Sequence, residues 1–98
     1  MNLQDKIIVI TGGGQGLGRA MAVNLAGYGA KLALVDLNEE LLQETVSMVE
    51  DAGSIARVYV ANVTNEDEVE STFKQIVADF GGLDGLVNNA GILRDGMF

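Results

Sequence analysis

Four short apolar runs alternate with longer segments of helical periodicity along these 98 residues, and this alternation restricts the fold more than any other feature. Strands that are apolar on both faces are typical of parallel sheets that helices cover on both sides. The pattern therefore predicts one α/β domain over residues 1–98, with the order β-α-β-α-β-α-β. The predicted strands are 6–11, 31–36, 56–61 and 84–89, and the predicted helices are 17–28, 39–52 and 66–80.

The connections between these strands predict their order in the sheet. Crossovers between parallel strands are right-handed, which gives the order 3-2-1-4 of a Rossmann-like sheet. The fourth strand then lies at an edge, where we expect Leu86 and Val87 to be exposed and to pair or pack with another chain. The sequence therefore predicts a two-fold homodimer joined at or near the fourth strands.

Local signals predict two helix caps and one core face. Asn38 and Thr64 precede acidic first turns and are predicted to cap the second and third helices. Apolar residues of the third helix recur at helical spacing, so we expect them to pack in the core. They are Val69, Phe73, Ile76, Val77 and Phe80.

A glycine-rich turn, TGGGQGLG at residues 11–18, lies between the first predicted strand and the first predicted helix. Such a turn directs several unpaired N–H groups, and the positive end of the helix dipole, at one point. A Cβ there would block the approach of an anion. The turn is therefore predicted to bind the phosphates of a nucleotide. The predicted contact residues are Gly12, Gln15, Gly16, Leu17 and Gly18.

Two other nucleotide motifs come close to this sequence. A P-loop needs Lys followed by Ser or Thr after its last glycine, whereas Arg19-Ala20 stands here. Residues 14–18 also read G-x-G-x-G, with an acid at the end of the second strand, as in S-adenosylmethionine methyltransferases. Those enzymes usually carry an acid just before the turn, where this chain has Ile10 and Thr11, so a methyltransferase is a less favoured alternative.

Asp36 ends the second predicted strand, where a dinucleotide-binding fold places a carboxylate that accepts hydrogen bonds from the adenosine ribose. A carboxylate at this position also repels a 2′-phosphate. Gln15, Leu37 and Asn38 carry no charge, so no basic neighbour in the sequence compensates. These residues favour NAD over NADP.

The ends of the third and fourth strands supply the other predicted contacts. Residues 88–91, NNAG, place two amides and two small residues opposite the glycine turn, at the crevice where the strand order reverses. Asn89, Ala90 and Gly91 are therefore predicted to contact the cofactor. Asn62 and Val63 follow the third strand and are predicted to line the adenine pocket.

The composition excludes several other kinds of site. Six basic and fourteen acidic residues give a net charge of −8, which opposes binding to nucleic acid or to an anionic membrane. The chain has neither Cys nor His, so thiol nucleophiles and histidine bases are excluded, and no metal site is predicted. The first residues lack a signal-peptide pattern, so we expect a cytoplasmic protein.

Together, the turn at 11–18, Asp36, Asn62-Val63 and the NNAG of 88–91 resemble the amino-terminal half of a short-chain dehydrogenase/reductase. The resemblance spans the whole chain, and the tail GILRDGMF is similar to 3-oxoacyl-thioester reductases. The chain departs from the family pattern at Asn62, where Asp is usual. It also lacks the basic residue typical of members that use NADP, including most 3-oxoacyl reductases, so we expect NAD, with NADP less favoured.

The resemblance implies hydride transfer between a nicotinamide cofactor and a carbonyl or alcohol. The family uses a Tyr and a Lys as its acid/base pair, with a Ser on the substrate oxygen, and places Tyr-x-x-x-Lys beyond its fifth strand. Neither tyrosine matches, because Leu32 follows Tyr28 and Val63 follows Tyr59 at that spacing. Both tyrosines are predicted to be partly buried, and no catalytic residue is predicted.

The chain is therefore expected to be truncated relative to the full family fold. It would act as the NAD(H)-binding half of an oxidoreductase, as a homodimer or with a complementing carboxyl-terminal half. The alternative is a stand-alone nucleotide-binding or assembly module without catalysis.

Overall fold

The computed structural model of the chain describes residues 2–89 and has the predicted order of strands and helices. Each predicted element agrees with the structure to within one residue at either end. The strands are β1 (Ile7–Thr11), β2 (Lys31–Asp36), β3 (Ala56–Val60) and β4 (Gly85–Asn88), and the helices are α1 (Gly16–Gly27), α2 (Glu39–Asp51) and α3 (Glu66–Phe80).

The four strands form one parallel sheet in the predicted order β3-β2-β1-β4. β1 lies between β2 and β4, and Ile10 is opposite Leu34 on one side and Val87 on the other. The chain moves from β1 to β2 on one side and later returns to β4 on the other side. The carboxyl ends of β1 and β4 therefore flank the crevice in which open α/β sheets bind ligands.

Alternate side chains of the central strands enter two separate cores. Ile10, Leu32 and Leu34 pack on the face that α1 and α2 cover. Val9, Ala33 and Val35 pack on the opposite face, against Ile76 of α3. Burial on both faces explains why these strands are apolar throughout rather than alternating in polarity.

The face covered by α3 is only partly enclosed by the described residues. Of the predicted core stripe on α3, Ile76 is fully buried, but Val77 is 44% exposed, so the prediction that the whole stripe is core is wrong. An open apolar groove of about 730 Å³ runs along this helix between Val69, Phe73, Val77 and Leu83. Helical periodicity identifies residues that share a face, but it does not show whether another element covers that face.

The β4 edge agrees only in part with its prediction. Leu86 is 51% exposed, as expected, because it points to the face that, among residues 2–89, α3 alone covers. Val87 is half-buried instead, since it points to the opposite face and packs against the core beneath α1.

The two helix caps also differ in their outcome. Asn38 caps α2 as predicted, with its side chain accepting a hydrogen bond from the N–H of Leu41. The cap of α3 is Asn65, not Thr64, because Thr64 bonds to the Asn62 side chain instead. None of the helices within residues 2–89 is long and apolar enough to cross a membrane.

Candidate functional site

The helix α1 begins without the cap that the other two helices have. Its N-cap residue, Gln15, makes no side-chain capping bond, and its first turn contains no acidic residue. By contrast, Asn38 and Asn65 cap α2 and α3, and acidic side chains occupy both of their first turns. The first N–H groups of a helix have no intrahelical acceptor. The start of α1 therefore keeps the donors and the positive dipole end that an anion needs.

The glycine turn before α1 is tied to the end of β2. The N–H groups of Gly12 and Gly13 donate to the carbonyl oxygen of Val35, at 2.7 and 3.3 Å. Gly16 has φ +60°, and an ideal Cβ on it would meet no atom within 4 Å, so its backbone conformation alone favours glycine there. The turn leaves residues 15–17, all predicted contacts, exposed at the start of α1.

Gly18 lies at the closest contact between α1 and the turn. A Cβ on Gly18 would overlap the carbonyl oxygen of Gly12 and would lie 2.9 Å from Nδ2 of Asn89. That nitrogen donates to the same Gly12 oxygen at 3.2 Å. Asn89 is fully buried, and its Oδ1 accepts no hydrogen bond from any residue between 2 and 89. The Asn89 side chain thus holds the turn in position through its bond to the Gly12 carbonyl.

Asp36 ends β2 beside the turn, as predicted, and two backbone groups orient its carboxylate. Oδ2 accepts a hydrogen bond from the N–H of Gly14 at 3.1 Å, and Oδ1 accepts one from the N–H of Leu37 at 2.7 Å. Each oxygen retains a lone pair, because a carboxylate offers about four acceptor sites. The carboxylate is therefore fixed in place and can still accept hydrogen bonds from two hydroxyl groups, such as those of a ribose.

Gly14 and Arg19, which the glycine motif leaves unspecified, complete the turn. The carbonyl oxygen of Gly14 accepts a hydrogen bond from Nη2 of Arg19 at 2.6 Å and one from Oγ1 of Thr45 at 3.3 Å. A Cβ on Gly14 would lie 2.9 Å from Oδ2 of Asp36 and 3.0 Å from Cβ of Leu41, so a larger residue here would displace the Asp36 carboxylate. The only signal in the sequence was an arginine directly after the last glycine of the motif.

The end of β4 meets the turn from the other side. Oγ1 of Thr11 donates to Oδ1 of Asn88 at 3.0 Å, which joins the ends of β1 and β4. The predicted contacts Ala90 and Gly91 lie outside the described residues. Of the NNAG segment, the structure therefore places the Asn88 amide beside Thr11 and the Asn89 amide against the Gly12 carbonyl.

Asn62 and Val63 follow β3, and both serve the structure of their own loop. Oδ1 of Asn62 accepts hydrogen bonds from the N–H and the Oγ1 of Thr64, at 3.0 and 2.6 Å. Because the backbone N–H of Thr64 can only donate, the Asn62 side-chain atom that it meets must be the amide oxygen. The side-chain NH₂ of Asn62 is then the group that can still donate to a ligand. Val63 is half-buried and packs against the core beneath α3.

The two tyrosines are poor candidates for acid/base chemistry. Tyr59 is half-buried as predicted, and its hydroxyl donates to Oδ2 of Asp79 at 2.8 Å. Partial burial and this carboxylate raise the pKa of Tyr59 above its ordinary value, whereas a catalytic phenol needs a lowered one. Tyr28 is 44% exposed, so the prediction that it is partly buried is wrong. The surroundings of Tyr59 thus give no support to a role for this residue in proton transfer.

Comparisons with known proteins agree with this geometry. The model of the short chain dehydrogenase family matches residues 6–98. Levodione reductase of Leifsonia aquatica is 47% identical over 90 residues, which are 90% of this chain and 34% of that protein. The 3-oxoacyl-(acyl-carrier-protein) reductase FabG of Vibrio cholerae is 40% identical over 97 residues, which are 99% of this chain and 38% of that protein.

A solved structure shows the same arrangement of strands and helices. NAD⁺-bound xylitol dehydrogenase superposes with a TM-score of 0.84 at 38% identity, over 88% of this chain and 33% of that one. The chain spans about a third of the length of the curated relatives that it matches. With the family model matched over nearly all of its residues, this chain belongs to the short chain dehydrogenase family.

Proposed function

We propose that this chain binds NAD(H) as the cofactor-binding part of a short-chain oxidoreductase. The observation that carries the proposal is the uncapped start of α1, which lies beside a carboxylate held ready for a ribose. The N–H groups of Gly16, Leu17 and Gly18 would receive the pyrophosphate, and Asp36 would accept the adenosine ribose hydroxyls. Asn62 and Val63 are proposed to contact the adenine.

The choice of NAD over NADP follows from the charges around Asp36. A 2′-phosphate would lie against a carboxylate that two backbone bonds prevent from turning away. Because like charges brought together cost several kcal/mol, NADP should bind much more weakly than NAD.

The reaction that we propose is hydride transfer between the nicotinamide and a carbonyl or alcohol. When bound, the nicotinamide supplies or accepts the hydride, and the chain's own contribution is to bind and orient the cofactor. A 3-oxoacyl thioester is our proposed substrate class, in keeping with the FabG relative of Vibrio cholerae. We propose that the acid/base residues of the family lie in the part of the family fold outside the third that this chain covers.

Titration calorimetry with NAD⁺ and NADP⁺ tests the cofactor. We expect heat of binding with NAD⁺ and an affinity for NADP⁺ that is at least about tenfold lower, which corresponds to about 1.4 kcal/mol. Equal affinities, or preferential binding of S-adenosylmethionine, would contradict the proposal.

The turnover of NADH tests how the chemistry is divided. The 98-residue chain alone should oxidise no NADH with acetoacetyl thioesters, because neither of its tyrosines is followed four residues later by a lysine. Addition of a carboxyl-terminal half from a longer relative should restore turnover. Binding without restored turnover would favour the alternative, a nucleotide-binding or assembly module. Robust turnover by the chain alone would overturn the assignment of the catalytic residues.

The exposed β4 edge supports a further part of the proposal, a protein partner. Leu86 and the groove along α3 leave apolar surface uncovered within residues 2–89. We propose that a second copy of the chain covers this surface in a homodimer, or that a complementing carboxyl-terminal half covers it.

A cytoplasmic location also stays a prediction from the amino-terminal sequence.

A further inference from the structure

Arg19 connects the glycine turn to α2 through several hydrogen bonds and an ion pair. Its Nε donates to Oγ1 of Thr45 at 3.0 Å, and its Nη2 donates to the carbonyl oxygens of Gly14 and Leu41, at 2.6 and 3.1 Å. The same Nη2 forms an ion pair with Oε1 of Glu44 at 3.1 Å. The Arg19 side chain is only 22% exposed, so these contacts hold a mostly buried side chain in one orientation.

A single residue separates this cation from the carboxylate that selects the cofactor. The carbonyl of Gly14 accepts from Arg19, and the N–H of Gly14 donates to Oδ2 of Asp36 at 3.1 Å. Of the basic residues that the structure describes, Arg19 is the one that contacts the turn. Without a partner, its charge would attract a phosphate at the ribose 2′ position. In this structure, however, that charge is already paired with Glu44.

We propose, resting on the NAD-binding function above, that the Arg19–Glu44 pair is a second determinant of cofactor selectivity. Glu44 neutralises Arg19 and holds its guanidinium on Gly14 and α2, so that a 2′-phosphate meets the Asp36 carboxylate without a compensating cation. Arg19 itself is a positioning residue, because it acts on the cofactor through Gly14 and not by direct contact. Cofactor choice in this chain thus depends on an acid of α2 outside the glycine motif.

The test compares two single-charge variants on the same helix. Glu44→Gln removes the partner of Arg19 at a side chain that is 60% exposed, so the fold should tolerate it. Glu40→Gln removes the same charge from the first turn of α2, where the side chain takes part in no ion pair among residues 2–89. Each chain is titrated with adenosine 5′-phosphate and with adenosine 2′,5′-bisphosphate, and binding is followed in the ¹⁵N–¹H spectrum.

The affinity for the bisphosphate relative to the monophosphate should rise about threefold or more in Glu44→Gln, the scale of one screened charge within a Debye length. Glu40→Gln should change this ratio much less. Equal changes in the two variants, or an unchanged ratio in Glu44→Gln, would overturn the role of the pair while leaving NAD binding intact. Failure of the parent chain to bind either nucleotide would instead overturn the proposed function itself.

Discussion

Gly18→Ala adds one methyl group at the closest packing contact of the site. The new Cβ would overlap the Gly12 carbonyl oxygen and would lie 2.8 Å from the carbonyl carbon, so α1 or the turn must move. Overpacking of this kind costs about 1–3 kcal/mol. Displacing the buried Asn89 amide from Gly12 costs about 1 kcal/mol more, and the helix propensity of alanine returns about 1 kcal/mol. We expect a net loss of about 1–3 kcal/mol in the free energy of unfolding.

Gly27→Ala is the matched control for this substitution. It places the same methyl group in the same helix, where no atom lies within 4 Å of the new Cβ. Thermal unfolding followed by circular dichroism compares the two, since each 1 kcal/mol shifts the Tm of a domain of this size by roughly 4–8 °C. Gly18→Ala should melt at least about 4 °C below the parent, and Gly27→Ala at or above it. Equal melting temperatures for the two variants would refute the packing argument.

Three further predictions concern charge, assembly and pH. Asp36→Asn keeps the size of the side chain but removes its charge, so calorimetry should show the affinity for NADP⁺ relative to NAD⁺ rising about tenfold. An unchanged ratio of the two affinities would contradict the electrostatic reasoning. Leu86→Lys should convert the proposed dimer to a monomer in sedimentation equilibrium, and a dimer indifferent to it would place the interface elsewhere. Partial burial and the bond to Asp79 raise the pKa of Tyr59, so the stabilisation from its neutral hydroxyl is full below about pH 10 and is lost as the pH rises above that value. Urea unfolding from pH 8 to 11 should show a loss of stability in the parent chain that Tyr59→Phe lacks, and parallel profiles would argue against this assignment.

Local pattern predicted the strands and helices because each depends on residues close in sequence. The alternation of apolar runs and helical periods located all seven elements to within one residue, and chain connectivity predicted the sheet order. The position of Asp36 beside the glycine turn was predictable because it ends β2, and the carboxyl ends of neighbouring parallel strands meet at one edge of the sheet. The cap of α3 was assigned one residue too early because Thr64 and Asn65 are both good capping residues, and only the bond from Thr64 to Asn62 decides between them.

Contacts between distant segments could not be predicted in this way. The carbonyl of Gly14 meets Arg19 five residues later and Thr45 thirty-one residues later, and no periodicity encodes that pairing. Burial was misjudged at Val77 for a related reason, since its exposure depends on what covers α3 and not on its own helix. The bond from the Asn89 amide to the Gly12 carbonyl was not predictable either, since it depends on the close approach of Gly18 to the turn.

We propose that the start of α1 and the end of β2 together hold a dinucleotide, and mapping NAD⁺ binding in the ¹⁵N–¹H spectrum of the chain tests this claim. The largest shifts should occur at the amides of residues 14–18, which include the uncapped start of α1, and at Asp36 and Leu37. Amides along α3, which lines the apolar groove on the opposite face, should change little. Shifts concentrated along α3, or no shifts at the turn at saturating NAD⁺, would contradict the claim.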